Sequence, residues 1–169
     1  MLQKDQRKIV DELYHIQNCE LALASLYQEL TQKFPTERFF WEEAVADEIN
    51  HARKMGQLIA MATSNLRRYT PGRFKLELLK TYLERLYSHI LMIQNGQMNR
   101  KEILLTVLDY EKSDIETNPY EVVKSYEDDY TNFAFAFEDD MKVHSAKMLL
   151  YVKEKLATYG VEAEKLART

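Results

Sequence analysis

Apolar positions recur every three or four residues along nearly the whole chain, the period of a helix with one buried face. Residues 3–33 place Ile9, Leu13, Ile16, Leu23, Ala24, Tyr27 and Leu30 on one side and predict a first helix. Phe34-Pro35-Thr36 breaks the run, with Thr36 expected to cap a second helix over 37–63 that carries Phe40, Trp41, Ala44, Val45, Met55, Leu58, Ile59 and Ala62. Residues 64–72 read as a loop. A third amphipathic segment spans 75–94 and ends at Asn95-Gly96-Gln97. Asn99 is the expected cap of a helix beginning near 100, with Ile103, Leu104, Val107 and Leu108 on its apolar face; Asn118-Pro119 interrupts or kinks it. Glu127-Asp128-Asp129 reads as a polar turn, and a last helix runs from about 130 to 158, before Gly160. The expected fold is all-α, an antiparallel helix bundle forming a single domain over 1–169.

Composition narrows this further. With 4 Gly and 3 Pro the chain has little turn chemistry for a sandwich or barrel. A hydrophobic share of 46% against 30% charged residues is globular. The net charge of −4, with both signs interleaved, lacks the concentrated basic face that nucleic-acid binding requires. Cys19 is the single cysteine, so this chain alone builds no disulfide, four-cysteine zinc site or iron–sulfur cluster. The first residues are charged and amphipathic rather than a signal peptide, and no run of about 18 apolar residues exists to span a membrane. A cytoplasmic location is the expectation.

Chemistry enters where polar residues interrupt the apolar faces. Glu20 lies between Ile16 and Ala24 on the first helix. Glu48 and His51 lie between Ala44 and Met55 on the second, as a Glu-x-x-His pair sharing one face. Glu111 and Asp114 follow Leu108; Asp140 and His144 follow Phe137. Glu20 is 15 residues before Pro35, and Glu48 and His51 are 13 and 16 after it, so the three share a height in an antiparallel hairpin. Glu111 and His144 share a height about position 127.5 if the helix continues past Pro119. Buried carboxylates cost several kcal/mol each without compensation, and no Lys or Arg accompanies them on these faces. A divalent metal would neutralise them together, and carboxylate plus imidazole suits iron, manganese or zinc.

On these residues the chain resembles the ferritin-like superfamily, and within it the rubrerythrin-type di-iron carboxylate proteins. The resemblance covers nearly the whole chain and rests on Glu20 with Tyr27, Glu48-Ile49-Asn50-His51-Ala52, Leu108-Asp109-Tyr110-Glu111-Lys112-Ser113, and His144. It implies a four-helix bundle with a long crossover, here containing an extra helix, and two metal ions bridged by carboxylates. It also implies redox chemistry on dioxygen or peroxide. Carried over, Glu20, Glu48, His51, Glu111 and His144 would be ligands. The family's second Glu-x-x-His would place Glu where Met141 stands; Asp140 or Asp114 would have to supply that carboxylate. With one cysteine the chain lacks the cysteine-ligated iron module of rubrerythrins proper, so turnover would need a separate electron donor.

Blander readings stand beside this one. The glutamates fit a vestigial hydrogen-bonded network with protonated carboxyls, and Tyr27 a core aromatic or a hydrogen-bond donor to the site. Phe133 and Phe137 read as packing residues, while Phe135 points away from them. His15 and His89 read as surface residues, and Cys19 as structural. The surplus apolar face of 75–94 fits a homodimer or packing on its own bundle. Two further functions are metal storage or sensing without turnover, and a metal-free interaction bundle.

Overall fold

The computed structural model describes residues 2–160, with side chains from residue 5 onward; residues 161–169 of the expected domain lie outside the described residues. It is all-α apart from one two-residue strand pair. The helices are α1 (Leu2–Lys33), α2 (Arg38–Ser64), α3 (Leu76–Gln94), α4 (Arg100–Glu111), α5 (Asp114–Thr117) and α6 (Asp128–Ala157). Strands β1 (Thr70–Pro71) and β2 (Val123–Lys124) pair antiparallel. No helix among the described residues is long and apolar enough to cross a membrane.

Side-chain contacts set the directions. Gln17 donates to the Ala52 carbonyl at 2.9 Å, and the Tyr27 and Trp41 rings lie 5.7 Å apart, so α1 and α2 are antiparallel. The Cys19 thiol lies 4.0 Å from the Leu79 carbonyl and Lys33 donates to the Ile93 carbonyl, so α3 runs parallel to α1. Phe40 stacks on Tyr151 while Lys54 meets Asp140, so α6 opposes α2. Arg100 and Lys155 both reach Glu37, and Glu111 lies beside His144, so α4 opposes α6. It follows that α2 and α4 run the same way, and α3 carries the chain back along the core between them. Its face of Leu79, Tyr82, Leu86, Ile90 and Ile93 is buried against this same core, so packing within the chain suffices to cover it.

Three local expectations are corrected. Thr36 does not cap α2: Pro35–Glu37 forms a single tight turn, because proline sets its φ, and α2 follows with no side-chain cap. The helix from 100 breaks earlier than the expected Asn118-Pro119 interruption. It stops at Glu111, restarts for one turn at Asp114 under a Ser113 cap, and gives way to a tight turn over Pro119–Val122. The residues at 128 and 129 begin α6 instead of forming a turn. The strand pair was not foreseen; it ties the start of the crossover (70–73) to the segment before α6. Gly72 permits this contact, since a Cβ there would sit 1.8 Å from the Glu121 carbonyl oxygen.

Asn99 does cap α4. Its side chain accepts from the Glu102 N–H at 3.0 Å, and the Glu102 carboxylate accepts from the Asn99 N–H at 2.8 Å, a reciprocal capping box. Asn99→Ala is expected to lower unfolding free energy by about 1 kcal/mol, read as a lower urea midpoint with an unchanged slope.

Candidate metal centre

Four helices and one loop turn bring acidic and imidazole side chains to a single place in the core. Glu20 comes from α1, Glu48 and His51 from α2, Glu111 from α4, Glu116 from α5 and His144 from α6. All six are 3% exposed or less. Their donor atoms fall into two groups, each compact enough to hold an ion: Glu20, Glu48, His51 and Glu116 in one, and Glu48, Glu111 and His144 in the other.

Glu48 belongs to both groups and offers one oxygen to each. Its Oε2 lies 3.1 Å from His51 Nδ1, and its Oε1 lies 2.9 Å from His144 Nε2 without hydrogen-bond alignment. Glu20 Oε2 is 3.8 Å from His51 Nδ1, and Glu111 Oε1 is 3.6 Å from His144 Nε2. Two atoms bound to one ion at about 2.1 Å lie roughly 3 to 4.2 Å apart, depending on the angle between them. These separations fall in or close to that range. Both oxygens of Glu20, both of Glu116, Glu48 Oε1, Glu111 Oε2 and His144 Nε2 have no hydrogen-bond partner. Buried polar atoms are nearly always satisfied. A cluster of such atoms, all electron-pair donors aimed at one space, fits a cation.

A carboxylate stands on the far side of each imidazole, and the one behind His144 is within hydrogen-bond distance. His144 Nδ1 lies 3.2 Å from Asp47, which in turn lies 3.5 Å from Lys147. His51 Nε2 lies 3.6 Å from Asp140, which accepts from Lys54 at 2.7 Å and Asn50 at 3.2 Å. A carboxylate behind a ligating histidine fixes the ring and leaves the other nitrogen to the site. The Tyr27 hydroxyl donates to Glu111 Oε1 and orients that carboxylate.

Glu20, Glu48, His51, Glu111 and His144 are thus brought together. Asp140 and Asp114 are not part of either group. Asp140 is half-buried at the rim, drawn outward by Lys54 and facing the back of His51. Asp114 is 74% exposed and pairs with Arg73 at 3.0 Å. Its three-residue spacing from Glu111 loses its meaning because α4 ends there, and the restarted turn points Glu116 inward instead. Glu116 and Asp47 escaped sequence reasoning. The Ser113-x-x-Glu116 spacing was the available signal, since it is the pattern of a new helix start, and Ser113 Oγ does accept from the Glu116 N–H. Cys19 is buried with its thiol 4.0 Å from the Leu79 carbonyl, outside both groups. His89 is half-buried and meets the Tyr110 hydroxyl at 2.7 Å between α3 and α4.

Electrostatics follow from the burial. Burial and the neighbouring Glu48 charge push Glu20 well above the usual carboxylate range; burial with the charges of Glu48, Glu20 and Glu111 does the same to Glu116. Glu111 is raised by burial, against the opposing pull of His144. Glu48 behaves differently: burial pushes it up, but the two imidazoles hold it down at about 2. For His144, burial opposes the charge, yet Asp47, Glu111 and Glu48 together raise it.

Comparison with known proteins returned no match to a family model, to a curated protein or to a solved structure.

The raised carboxyls give a pH prediction for metal-free protein. A carboxyl with a folded pKa above its unfolded value favours the folded state at low pH and loses that advantage as pH rises through the folded value. Replacing Glu20 with Gln should therefore leave stability little changed near pH 4.5 and raise it increasingly toward pH 8. Urea unfolding of both proteins in chelator across that range measures the gap; a gap independent of pH would contradict the account.

Proposed function

We propose that this chain is a ferritin-like, rubrerythrin-type non-haem di-metal protein. In this reading it holds iron and reacts with peroxide or dioxygen using electrons from a separate donor. The observation that carries the reading is Glu48, a buried carboxylate whose two oxygens face two separate imidazoles, with three further glutamates around them. The helix order supports the ferritin-like assignment: α1 and α2 as one antiparallel pair, α4 and α6 as the other, and α3 as the long crossover returning between them.

Glu20, Glu48, His51 and Glu116 would hold one ion, and Glu48, Glu111 and His144 the other. Iron bound there would supply electrons to an O–O bond. The chain's own part is to present the donors in fixed positions. Asp47 keeps the His144 ring turned with Nε2 toward the site, and Asp140 stands behind His51, whose Nδ1 faces Glu48. The Tyr27 hydroxyl donates to Glu111 and holds that carboxylate in place. Tyr27, Phe137 and Met141, buried to 1% exposure or less, belong to the apolar interior that limits water.

A second reading, storage or sensing without turnover, draws on one specific feature. The Glu20–Glu116 group is already supplied with four protein donors, the closed pattern of sites that hold a metal without reacting it.

Metal-free protein titrated anaerobically with Fe²⁺ is expected to take up two equivalents per chain. Glu48→Ala should lose both, because that residue serves both groups. Loaded wild type is then mixed with peroxide, and optical absorbance follows oxidation of the iron. No uptake by wild type, or full uptake by Glu48→Ala, refutes the metal assignment. Uptake without oxidation leaves the storage or sensing reading.

A further inference from the structure

Glu116 differs from the other acidic residues of the site in what carries it. Glu20, Glu48 and Glu111 sit on helices of 32, 27 and 12 residues, whereas Glu116 sits on a helix of four. One helical turn has no independent stability, because the cost of nucleation is not recovered over so few hydrogen bonds. Electrostatics also work against it. Both Glu116 oxygens are buried without hydrogen bonds, in a group with the carboxylates of Glu20 and Glu48. Left to itself, a short turn bearing such a side chain would relax outward and let the carboxylate reach water. Something outside the segment must hold it in.

The start of the crossover does so. The Gly72 N–H donates to the Val122 carbonyl at 2.9 Å and the Arg73 N–H to the Glu121 carbonyl at 3.2 Å, extending the β1–β2 pairing. The Arg73 guanidinium then reaches along the segment. Its terminal nitrogen lies 3.0 Å from Asp114, its Nε lies 2.7 Å from Glu121, and Asn118, with its amide turned to satisfy its neighbours, accepts from it at 3.1 Å. These three residues flank Glu116 on both sides. Each exposed pair alone contributes little; here one planar fork grips three points of the same short segment. The close approach is possible only because residue 72 has no Cβ, which would otherwise meet backbone atoms of Glu121 and Val122 at 1.8 and 2.5 Å.

We infer that Gly72 and Arg73 form a latch that positions Glu116 in the metal centre. The latch sets the affinity of the Glu20–Glu48–His51–Glu116 group and leaves the Glu48–Glu111–His144 group alone. Arg73 touches no donor atom of either group, so it is a positioning residue. The inference rests on the metal reading above and deepens it: one of the two ions depends on a loop contact outside the long helices that supply the other donors.

The test is anaerobic Co²⁺ titration, followed by optical absorption, of wild type, Arg73→Ala, Arg73→Lys, Glu116→Gln and the Arg73→Ala/Glu116→Gln double variant. Glu121→Gln serves as a second way to loosen the same grip. Melting temperature in chelator verifies that each variant folds. Wild type is expected to bind two equivalents. Arg73→Ala should weaken one of them by about 10- to 100-fold and leave the other unchanged. Arg73→Lys should recover part of the loss, and the double variant should bind as Glu116→Gln does, because both changes act through one carboxylate. If wild type binds two equivalents and Arg73→Ala matches it, the latch is wrong and the metal reading stands. The latch also fails if the double variant loses the sum of the two single effects. Absence of any uptake by wild type removes both.

Discussion

The structure turns on how four glutamates are accommodated in one apolar interior. Glu20, Glu48, Glu111 and Glu116 are 1% exposed or less, and the two imidazoles beside them could offset at most half of their charge. Desolvating an unpaired carboxylate costs several kcal/mol, against a total stability for a domain of about 5–15 kcal/mol. The interior must therefore take up protons, as the upward displacement of Glu20, Glu111 and Glu116 indicates for the metal-free chain, or take up cations. Two divalent ions match four carboxylates with both histidines neutral, which is also the protonation state in which an imidazole nitrogen can bind metal.

That constraint explains features which would otherwise look unrelated. Asp47 and Asp140 stand behind the histidines, and each is held in turn by a lysine. Tyr27 is fully buried yet uses its hydroxyl on Glu111. The lysines that approach the region, Lys54 and Lys147, stop at the outer carboxylates. They balance the rim and leave the inner donors uncompensated. A protein merely tolerating buried acids would be expected to bring a lysine in to them.

Much of this was legible in the sequence because long helices obey a fixed period. Interruptions of the apolar faces placed Glu20, Glu48, His51, Glu111 and His144 in the interior, and counting from Pro35 set the first three at one height. The level of Glu111 with His144 survives even though its premise fails: α4 stops at Glu111, and the 16 residues before α6 fold as a compact loop instead of a helix. Where periodicity ended, so did the reading. Asp114 and Asp140 were assigned inward by helical spacing, and the helix break and the pull of Arg73 and Lys54 put them elsewhere. Glu116 was invisible to periodicity because its position is set by contacts with residues 72 and 73, far away in sequence. The fold of the first hairpin is local and readable; the placement of the loop carboxylate is tertiary.

Met141 makes the two halves of the centre unequal. It is buried one turn before His144, at the position where a symmetrical site would repeat the Glu-x-x-His of α2. The carboxylate missing there is not restored to the same group: Asp140 turns to the rim, and Glu116 joins Glu20, Glu48 and His51. One group therefore has four protein donors and the other three. A thioether binds hard ferrous or manganous ions weakly beside carboxylates, so Met141 would not stand in for the missing carboxylate. On the proposed reading, an external oxygen ligand would find its open position on the Glu111–His144 side, while the Glu20–Glu116 side is already filled by the chain. On that reading the departure from the symmetrical pattern would divide the work between the two groups, with retention of metal on one and access to it on the other.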